Sequence, residues 1–356
     1  MNFSLSLENF RRFQTLELSF DGPTVIIGQN GTGKSTLLEA VVYLSVARSY
    51  RTIHDRELVH WDEHVGRTRI TFDDLQVERV IALTGQSVTK RSFVNEVRQP
   101  TLLSIGQFYT VLFSPEQIDL ITGSPRVRRR FLDTVLSAVD PVYARTLAEY
   151  GQVLRQRNEL LQRPVLIADH FLPWEATIAQ LGARILEKRR VFIDFVATLL
   201  NQEYQAIAPT GSQRTISVQY ASGIQDEPSY QTQLAARRQR DHAARATTLG
   251  PHRDDLLLLI DGFPAAIATS RGEQRSILIA LKQTERQFFA AKVADQPPLL
   301  LLDDVFSELD EARSNRLGAL VADAPAIITT AEPRTIPRVL RDRATSLAID
   351  ALVPVA

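Results

Sequence analysis

Cysteine is absent from this chain of 356 residues, and methionine occurs once. Disulfides and thiol chemistry are therefore excluded, although that absence alone leaves the compartment open. No apolar run approaches the roughly 20 residues of a membrane-spanning helix. The start, Met1-Asn2-Phe3-Ser4-Leu5-Ser6-Leu7-Glu8, has no basic segment leading into an apolar stretch. No membrane and a cytoplasmic location are the resulting expectations. Net charge is lacking too: 41 Lys and Arg stand against 41 Asp and Glu. The chain as a whole is thus no basic polyanion binder, and any nucleic-acid contact must come from a local patch or one assembled in an oligomer. Internal repeats, low-complexity tracts and sustained heptads are missing, and His54, His60 and His64 follow no metal-ligand spacing. What remains is an ordinary globular composition, 44% hydrophobic and 23% charged, in a chain long enough for about two domains or lobes.

One stretch organises the rest. Gly28-Gln29-Asn30-Gly31-Thr32-Gly33-Lys34-Ser35 spells Gly-x-x-x-x-Gly-Lys-Ser, after the β-branched run Thr24-Val25-Ile26-Ile27 and before Thr36-Leu37-Leu38-Glu39-Ala40-Val41-Val42. The first flank predicts a buried strand and the second a helix over 34–46, which is the context a P-loop needs. A loop that wraps a triphosphate turns backbone N–H groups inward, and side chains at Gly28, Gly31 or Gly33 would crowd that cradle. Lys34 then reaches the β- and γ-phosphates, Ser35 ligates Mg²⁺ with Thr36 beside it, and the helix start favours the anion. ATP and Mg²⁺ are the expected ligands.

Along the chain, residues 3–8 and 15–20 alternate around a turn and predict a hairpin leading into the P-loop strand. Alternating runs near 65–72, 75–83 and 87–94 predict an antiparallel sheet beside the P-loop core. A short buried strand over 108–113 follows. From 114 to 248 the periodicity becomes helical, with helices predicted over 126–137, 141–163, about 174–206 and 230–245. The β pattern resumes with a hairpin, 255–260 and 263–268, turning at Asp261-Gly262. A helix over 272–293, a strand Leu299-Leu300-Leu301-Leu302 ending in Asp303-Asp304, a helix over 309–321 and strands over 326–330 and 346–349 complete an α/β core. The domain reading is 1–113 with 249–356 as an ATPase lobe and 114–248 as a helical lobe.

A P-loop alone leaves kinases, GTPases, helicases and transport ATPases open, and three later segments narrow the choice. Asp303 follows its apolar strand as the acid that holds the Mg²⁺ water shell should. Asp304, next to it, is placed to orient the attacking water. Ser307-Glu308-Leu309-Asp310 resembles the D-loop of ABC-type ATPases, and Ser270-Arg271-Gly272-Glu273-Gln274 resembles their signature motif. A signature helix start, with its Ser hydroxyl and the Gly272 N–H, is a second anion site that the ABC class completes in trans on a partner's nucleotide. Lys34, Asp303, Asp304 and Ser270 are the candidate catalytic residues, and Gln117 is the candidate Q-loop ligand of Mg²⁺ and water. The plain alternatives are a capping box at Ser270 and Glu273 and polar turns at Asp303-Asp304 and Gln117.

Taken together, Leu7-Glu8-Asn9-Phe10-Arg11-Arg12-Phe13, the P-loop, Ser114-Pro115-Glu116, Gly123 to Asp133, Gly250-Pro251-His252-Arg253-Asp254-Asp255-Leu256, the signature and Leu302 to Asp310 resemble the RecF family of bacterial recombination mediators, relatives of SMC proteins, nearly end to end. The Gly250 to Leu256 stretch discriminates most, because ABC transporters lack it. The resemblance implies an ABC-ATPase or SMC-head-like α/β fold: a P-loop core, an antiparallel β subdomain and an inserted helical lobe, without long coiled coil. It implies an ATP-dependent homodimer that binds double-stranded or gapped DNA and hydrolyses ATP slowly. With RecR and RecO such a protein helps RecA replace single-strand-binding protein at gaps, in DNA repair and SOS induction. The chain departs from the pattern at Glu273, where Gly or Gln is usual, and at Thr329-Thr330-Ala331, which offers no His after the last core strand; the Thr330 hydroxyl is the candidate substitute.

Two basic clusters are candidate DNA contacts: Arg126, Arg128, Arg129 and Arg130, and a second at Arg237, Arg238, Arg240 and Arg245; the less specific stretch Arg48-Ser49-Tyr50-Arg51 sits where a nucleotide or DNA contact is possible. Solvated basic helix faces are the competing reading for both. Two further functions stay open, a nucleotide-binding subunit of an ABC transporter and a non-hydrolytic, ATP-switched interaction module.

Overall fold

The alternation at the start of the chain forms the expected hairpin. β1 (Asn2–Phe10) pairs antiparallel with β2 (Phe13–Asp21), in a register that sets Leu5 opposite Leu18 and Leu7 opposite Leu16. The computed structural model describes residues 1–209, 211–293 and 296–349. It divides into two compact units, one of Met1–Ile118, Gln202–Gln213 and Ser270–Ala356, the other of Asp119–Asn201 and Arg214–Thr269.

In the first unit the hairpin joins β4 (Val65–Thr71), β5 (Gln76–Thr84), β6 (Ser87–Val94) and β7 (Val97–Gln99) in an antiparallel sheet of order β2-β1-β4-β5-β6-β7. A second sheet, ordered β14-β3-β13-β12-β8, is parallel throughout. Its strands are β3 (Thr24–Ile27), β8 (Thr110–Phe113), β12 (Leu299–Asp303), β13 (Ala326–Thr330) and β14 (Thr345–Ala348). The P-loop helix α1 (Lys34–Val46) packs on both sheets. That is why its sequence is apolar on every face rather than along one stripe. Leu299 to Leu302 are at most 1% exposed, each worth roughly 2 kcal/mol of burial. Helices α9 (Arg271–Lys292), α10 (Glu311–Val321) and α11 (Arg338–Arg341) complete this unit.

A buried arginine that the sequence did not single out joins the antiparallel sheet to α1. Arg79 on β5 is 1% exposed. Its five N–H donors go to Leu44 O (3.1 and 2.9 Å), Ser104 O (3.1 Å) and the hydroxyls of Ser92 and Ser104 (both 2.8 Å). Burial lowers its pKa to about 10, yet it stays a cation, placed at the last turn of α1, the negative end of the helix dipole.

The second unit holds α2 (Asp119–Thr122), α3 (Pro125–Val139), α4 (Pro141–Leu161), α5 (Ala168–Ile207, whose end from Gln202 groups with the first unit), α6 (Glu227–Ala236), α7 (Arg238–Ala244) and α8 (Ala265–Ala268). It also contains a sheet, β9 (Ile216–Ala221), β10 (Asp255–Ile260) and β11 (Phe263–Pro264). This differs from the expected division at 113/114 and 248/249. Residues 249–269 group with the helices because β10 pairs along its whole length with β9 and packs on α3. Residues 114–118 and 202–213 group with the first unit, where Gln287 Nε2 donates to Glu203 Oε1 at 2.6 Å. Three local expectations also change. The helix over 230–245 is two helices meeting at Arg237, the strand over 263–268 gives way after Pro264 to α8, and α5 begins six residues before Trp174, with Pro173 inside its first turns. Long helices are present, but no long coiled coil lies among the described residues.

Candidate nucleotide site

Strand order decides what meets at the carboxyl edge of the parallel sheet. β13 lies between β3, which runs into the P-loop, and β12, which ends at Asp303. The register pairs Thr329 with Asp303 and Thr330 with Ile27, and Gly28 N–H donates to Thr330 O at 3.2 Å. Residues far apart in sequence thereby line one crevice, the usual ligand position in such sheets.

Gln29, Asn30 and Gly31 are exposed in the loop, and Thr32 Oγ1 donates back to Gln29 O at 2.8 Å. Gly33 has φ 107°, and a Cβ there would stand 2.6 Å from the Phe13 ring and 2.9 Å from Arg12 Cδ, so only glycine fits. Lys34 is buried, and its Nζ donates to Gly28 O at 2.7 Å and Gln29 O at 2.9 Å, curling the loop around its ammonium. Ser35 Oγ donates to Asp303 Oδ1 at 2.9 Å, and Thr329 Oγ1 donates to the same oxygen at 2.9 Å. Thr36 is buried below them. Burial raises the Asp303 pKa, opposed by the hydrogen bonds from Thr329 and Ser35.

Asp304 takes the left-handed conformation, φ 50°, with its N–H on Thr329 O at 3.1 Å. That turn swings its carboxylate out of the strand line. Thr330, the expected stand-in for the missing His, lies 3.5 Å from Asp304 Oδ1, at the long limit of a hydrogen bond. Its hydroxyl has a closer acceptor in Glu332 O at 3.2 Å and accepts Glu332 N–H at 3.0 Å. Thr330 thus builds the turn after β13 as well as flanking Asp304.

At the start of α9, Ser270 is exposed. It is also a capping-box residue: Glu273 accepts from Ser270 N–H at 2.8 Å and from its hydroxyl at 2.9 Å, and Glu273 N–H returns to Ser270 Oγ at 3.3 Å. The bland reading of the motif is therefore true locally and leaves the Ser270 side chain at the surface. Gly272 faces the Arg313 guanidinium. Arg313 bonds Ser276 Oγ at 2.9 Å and Asp310, which caps α10, while Arg275 pairs with Glu308 at 3.0 Å. The signature and the D-loop are one bonded assembly.

Comparison with known proteins now decides the lineage. Residues 3–341 match the family model for the RecF/RecN/SMC N terminal domain. Curated relatives named DNA replication and repair protein RecF are 34% identical over 92% of this chain and 90% of the relative in Synechococcus sp., and 37% identical over 88% and 86% in Streptococcus pyogenes serotype M49. The chain belongs to the RecF family. A solved structure described as the recombination mediator protein RecF-ATP in the RecFOR pathway matches at TM-score 0.84 and 28% identity, over 94% of this chain and 92% of that one. An Smc head domain from Pyrococcus furiosus, at TM-score 0.50 and 17% identity, shares the fold alone. The α/β fold with P-loop core, antiparallel subdomain and helical insertion is thus that of RecF proteins and SMC heads.

The residues of this RecF-family chain suit a Mg²⁺-bound triphosphate. Gln117 Oε1 is buried without a hydrogen-bond partner, an unspent acceptor of the kind a hydrated cation uses. Among the described residues no group of three or more His, Asp or Glu forms a self-sufficient cage. Ser35 and Asp303 would therefore share a hard cation with phosphate oxygens, the usual mode for Mg²⁺. When bound, the ion would neutralise phosphate charge and orient the γ-phosphate.

Of the layer behind these groups, sequence reasoning noted the stretch Arg48 to Arg51 and missed Glu39, which gathers it. Glu39, 0% exposed on α1, receives Arg11 Nη2 at 2.7 Å and Nε at 3.0 Å, together with Ser49 Oγ and Arg51. An acid inside an otherwise apolar helix was the available signal, since a buried carboxylate needs partners. Tyr50 sends its hydroxyl to Asp303 Oδ2 at 3.3 Å. The arginine cluster proposed for DNA lies in the second unit and divides. Arg126 is exposed, and Arg130 is half-buried. Arg128 forks onto Asp255 at 2.7 and 2.8 Å, and Arg129 donates to Asp254 O at 2.6 Å. The charge of Arg128 is already compensated within the unit, so it is not a free phosphate contact. Arg238 of the other cluster is similarly held by Glu175.

Proposed function

We propose that this RecF-family chain is an ATP-dependent DNA-binding recombination mediator that closes into a homodimer around ATP. One observation carries the reading: Lys34, Ser35 and Asp303 converge on a phosphate crevice, while Ser270 stands exposed on a separate helix start, available to a second copy. Within one site, the loop N–H groups and Lys34 hold the β- and γ-phosphates, Ser35 and Asp303 hold Mg²⁺, and Gln117 bonds its water shell. Asp304 aligns water for slow, DNA-stimulated hydrolysis. Ser270 and Gly272 of the partner cover the γ-phosphate, with Asp310 at the seam. Because such a nucleotide touches both copies, ATP stabilises only the closed state, and hydrolysis releases it. Double-stranded or gapped DNA, RecR and RecO are the proposed partners, and RecA loading at single-strand gaps the outcome, in cytoplasmic repair and the SOS response.

Size measured with ATP and Mg²⁺, and again with ADP, tests this directly. A doubling of mass confined to ATP is expected; a constant monomer in both rules it out. The Glu273 carboxylate on Ser270 favours a second reading, in which ATP switches the dimer without turnover. Hydrolysis assayed with and without duplex DNA separates the two.

A further inference from the structure

The stretch Arg48-Ser49-Tyr50-Arg51 follows the P-loop helix, and nothing in the proposed reaction employs it. It is nevertheless firmly built. Ser49 is 3% exposed, donates to the fully buried Glu39, and accepts the N–H groups of Arg51 at 2.9 Å and Thr52 at 3.0 Å. Arg51 itself reaches the same carboxylate at 3.5 Å. The backbone after Tyr50 is thereby hung from α1, the helix whose first turn is the P-loop. Tyr50 points back into the crevice. Its hydroxyl lies 3.3 Å from Asp303 Oδ2 and 3.4 Å from the carbonyl oxygen of Ser35.

The Asp303 carboxylate is held at both ends. Oδ1 receives Ser35 and Thr329, and Oδ2 receives Tyr50. Without the phenol, Oδ2 loses its donor and the carboxylate is held through Oδ1 alone, with more room to turn about its last torsion. We propose that Tyr50 is a positioning residue of the nucleotide site, which fixes the Asp303 carboxylate in the orientation that receives the divalent cation accompanying a triphosphate. This rests on the ATP-binding reading above. Partners one shell removed from a metal ligand typically change metal affinity by about 10–100-fold when lost; the long, shared hydrogen bond here sets the expectation at the lower end.

Tyr50→Phe removes the hydroxyl and keeps the ring. Binding of a fluorescent ribose-modified ATP is titrated with Mg²⁺ for the whole protein, alongside its binding in EDTA and the Tm. The half-saturating Mg²⁺ concentration should rise about 10-fold, while EDTA affinity stays within about two-fold and the Tm is unchanged. Ser49→Ala, which loosens the loop and leaves the phenol, should shift the Mg²⁺ requirement in the same direction. An unchanged requirement in both variants overturns the proposal, as does an equal loss of affinity in EDTA. Wild-type protein that binds no nucleotide under any condition would instead remove the underlying ATP reading.

Discussion

Ser35 Oγ donates to Asp303 Oδ1 at 2.9 Å across 268 residues of sequence. Hydroxyl and carboxylate sit together because β3 and β12 flank β13, and both are oxygen ligands suited to a hard cation. Asp303→Asn keeps the shape and removes the charge. ATP binding in EDTA should be nearly unaffected, whereas Mg²⁺ should no longer tighten it and turnover should fall by about 10²-fold or more. Isothermal titration with and without Mg²⁺, with a phosphate-release assay, checks this. A variant that retains Mg²⁺-stimulated binding would displace Asp303 from the metal role.

The arginines at the start of α3 separate by partner. Arg126 is exposed, while Arg128 is bound by both oxygens of Asp255. Arg126→Ala should weaken duplex DNA binding on all sequences alike and reduce the slope of log K against log salt by about 1. Arg128→Ala should instead lower the Tm, because Asp255 is left half-buried without its cation. Fluorescence anisotropy across a salt series and thermal melts distinguish them. Equal loss of salt slope in both would show that Arg128 leaves Asp255 when DNA arrives.

How much of this could be read beforehand depended on the range of the interaction. The P-loop, the Asp303 strand and α9 declare themselves because backbone geometry and local periodicity fix them within about ten residues. Arg128 did not. Four arginines on one helix look the same whether they are solvated or clasped by an acid 127 residues later. β9 was concealed for a related reason: Ile216 to Ala221 is a brief alternation after a long helix, and it becomes a strand only by pairing with β10. The stretch Arg48 to Arg51 was noticed as a possible contact, but the particular role of Tyr50 was hidden, since its partner Asp303 is 253 residues away. The family-discriminating Gly250 to Leu256 stretch was recognisable as a motif, but its physical role emerged only in three dimensions.

That role is a buried polar knot. Gly250 has φ 139°, and a Cβ there would collide with the hydroxyls of Tyr150 and Tyr230. His252 Nδ1 meets Tyr150 Oη at 2.7 Å, and Nε2 meets Thr247 O at 3.0 Å, which requires the proton on Nε2. Burial lowers the His252 pKa from 6.5 to about 4. The unfolded chain therefore takes up this proton first as the solution is acidified. The stability that neutral His252 contributes is intact above pH 6.5 and drains away as pH falls toward 4. His252→Gln should be less stable than wild type at pH 7.5 but lose less between pH 6.5 and 4.5, the difference being on the order of 2 kcal/mol. Urea melts at the two pH values read it, and parallel losses in both proteins would assign the acid sensitivity elsewhere.

Glu273 supplies the sharpest test of the trans arrangement. Its carboxylate accepts the Ser270 hydroxyl at 2.9 Å, so a γ-phosphate arriving from a second copy meets a like charge where the proposed dimer needs a donor. Glu273→Gln keeps an acceptor for Ser270 N–H and removes the repulsion, which for a partly solvated pair amounts to about 1 kcal/mol. ATP-dependent self-association, followed by sedimentation velocity with Mg²⁺, should tighten by about five-fold for each of the two equivalent sites, about 30-fold in all, while association with ADP stays unchanged because no γ-phosphate is present. Tightening that is the same with ADP, or weakening with ATP, would mean that Ser270 caps α9 and does nothing more.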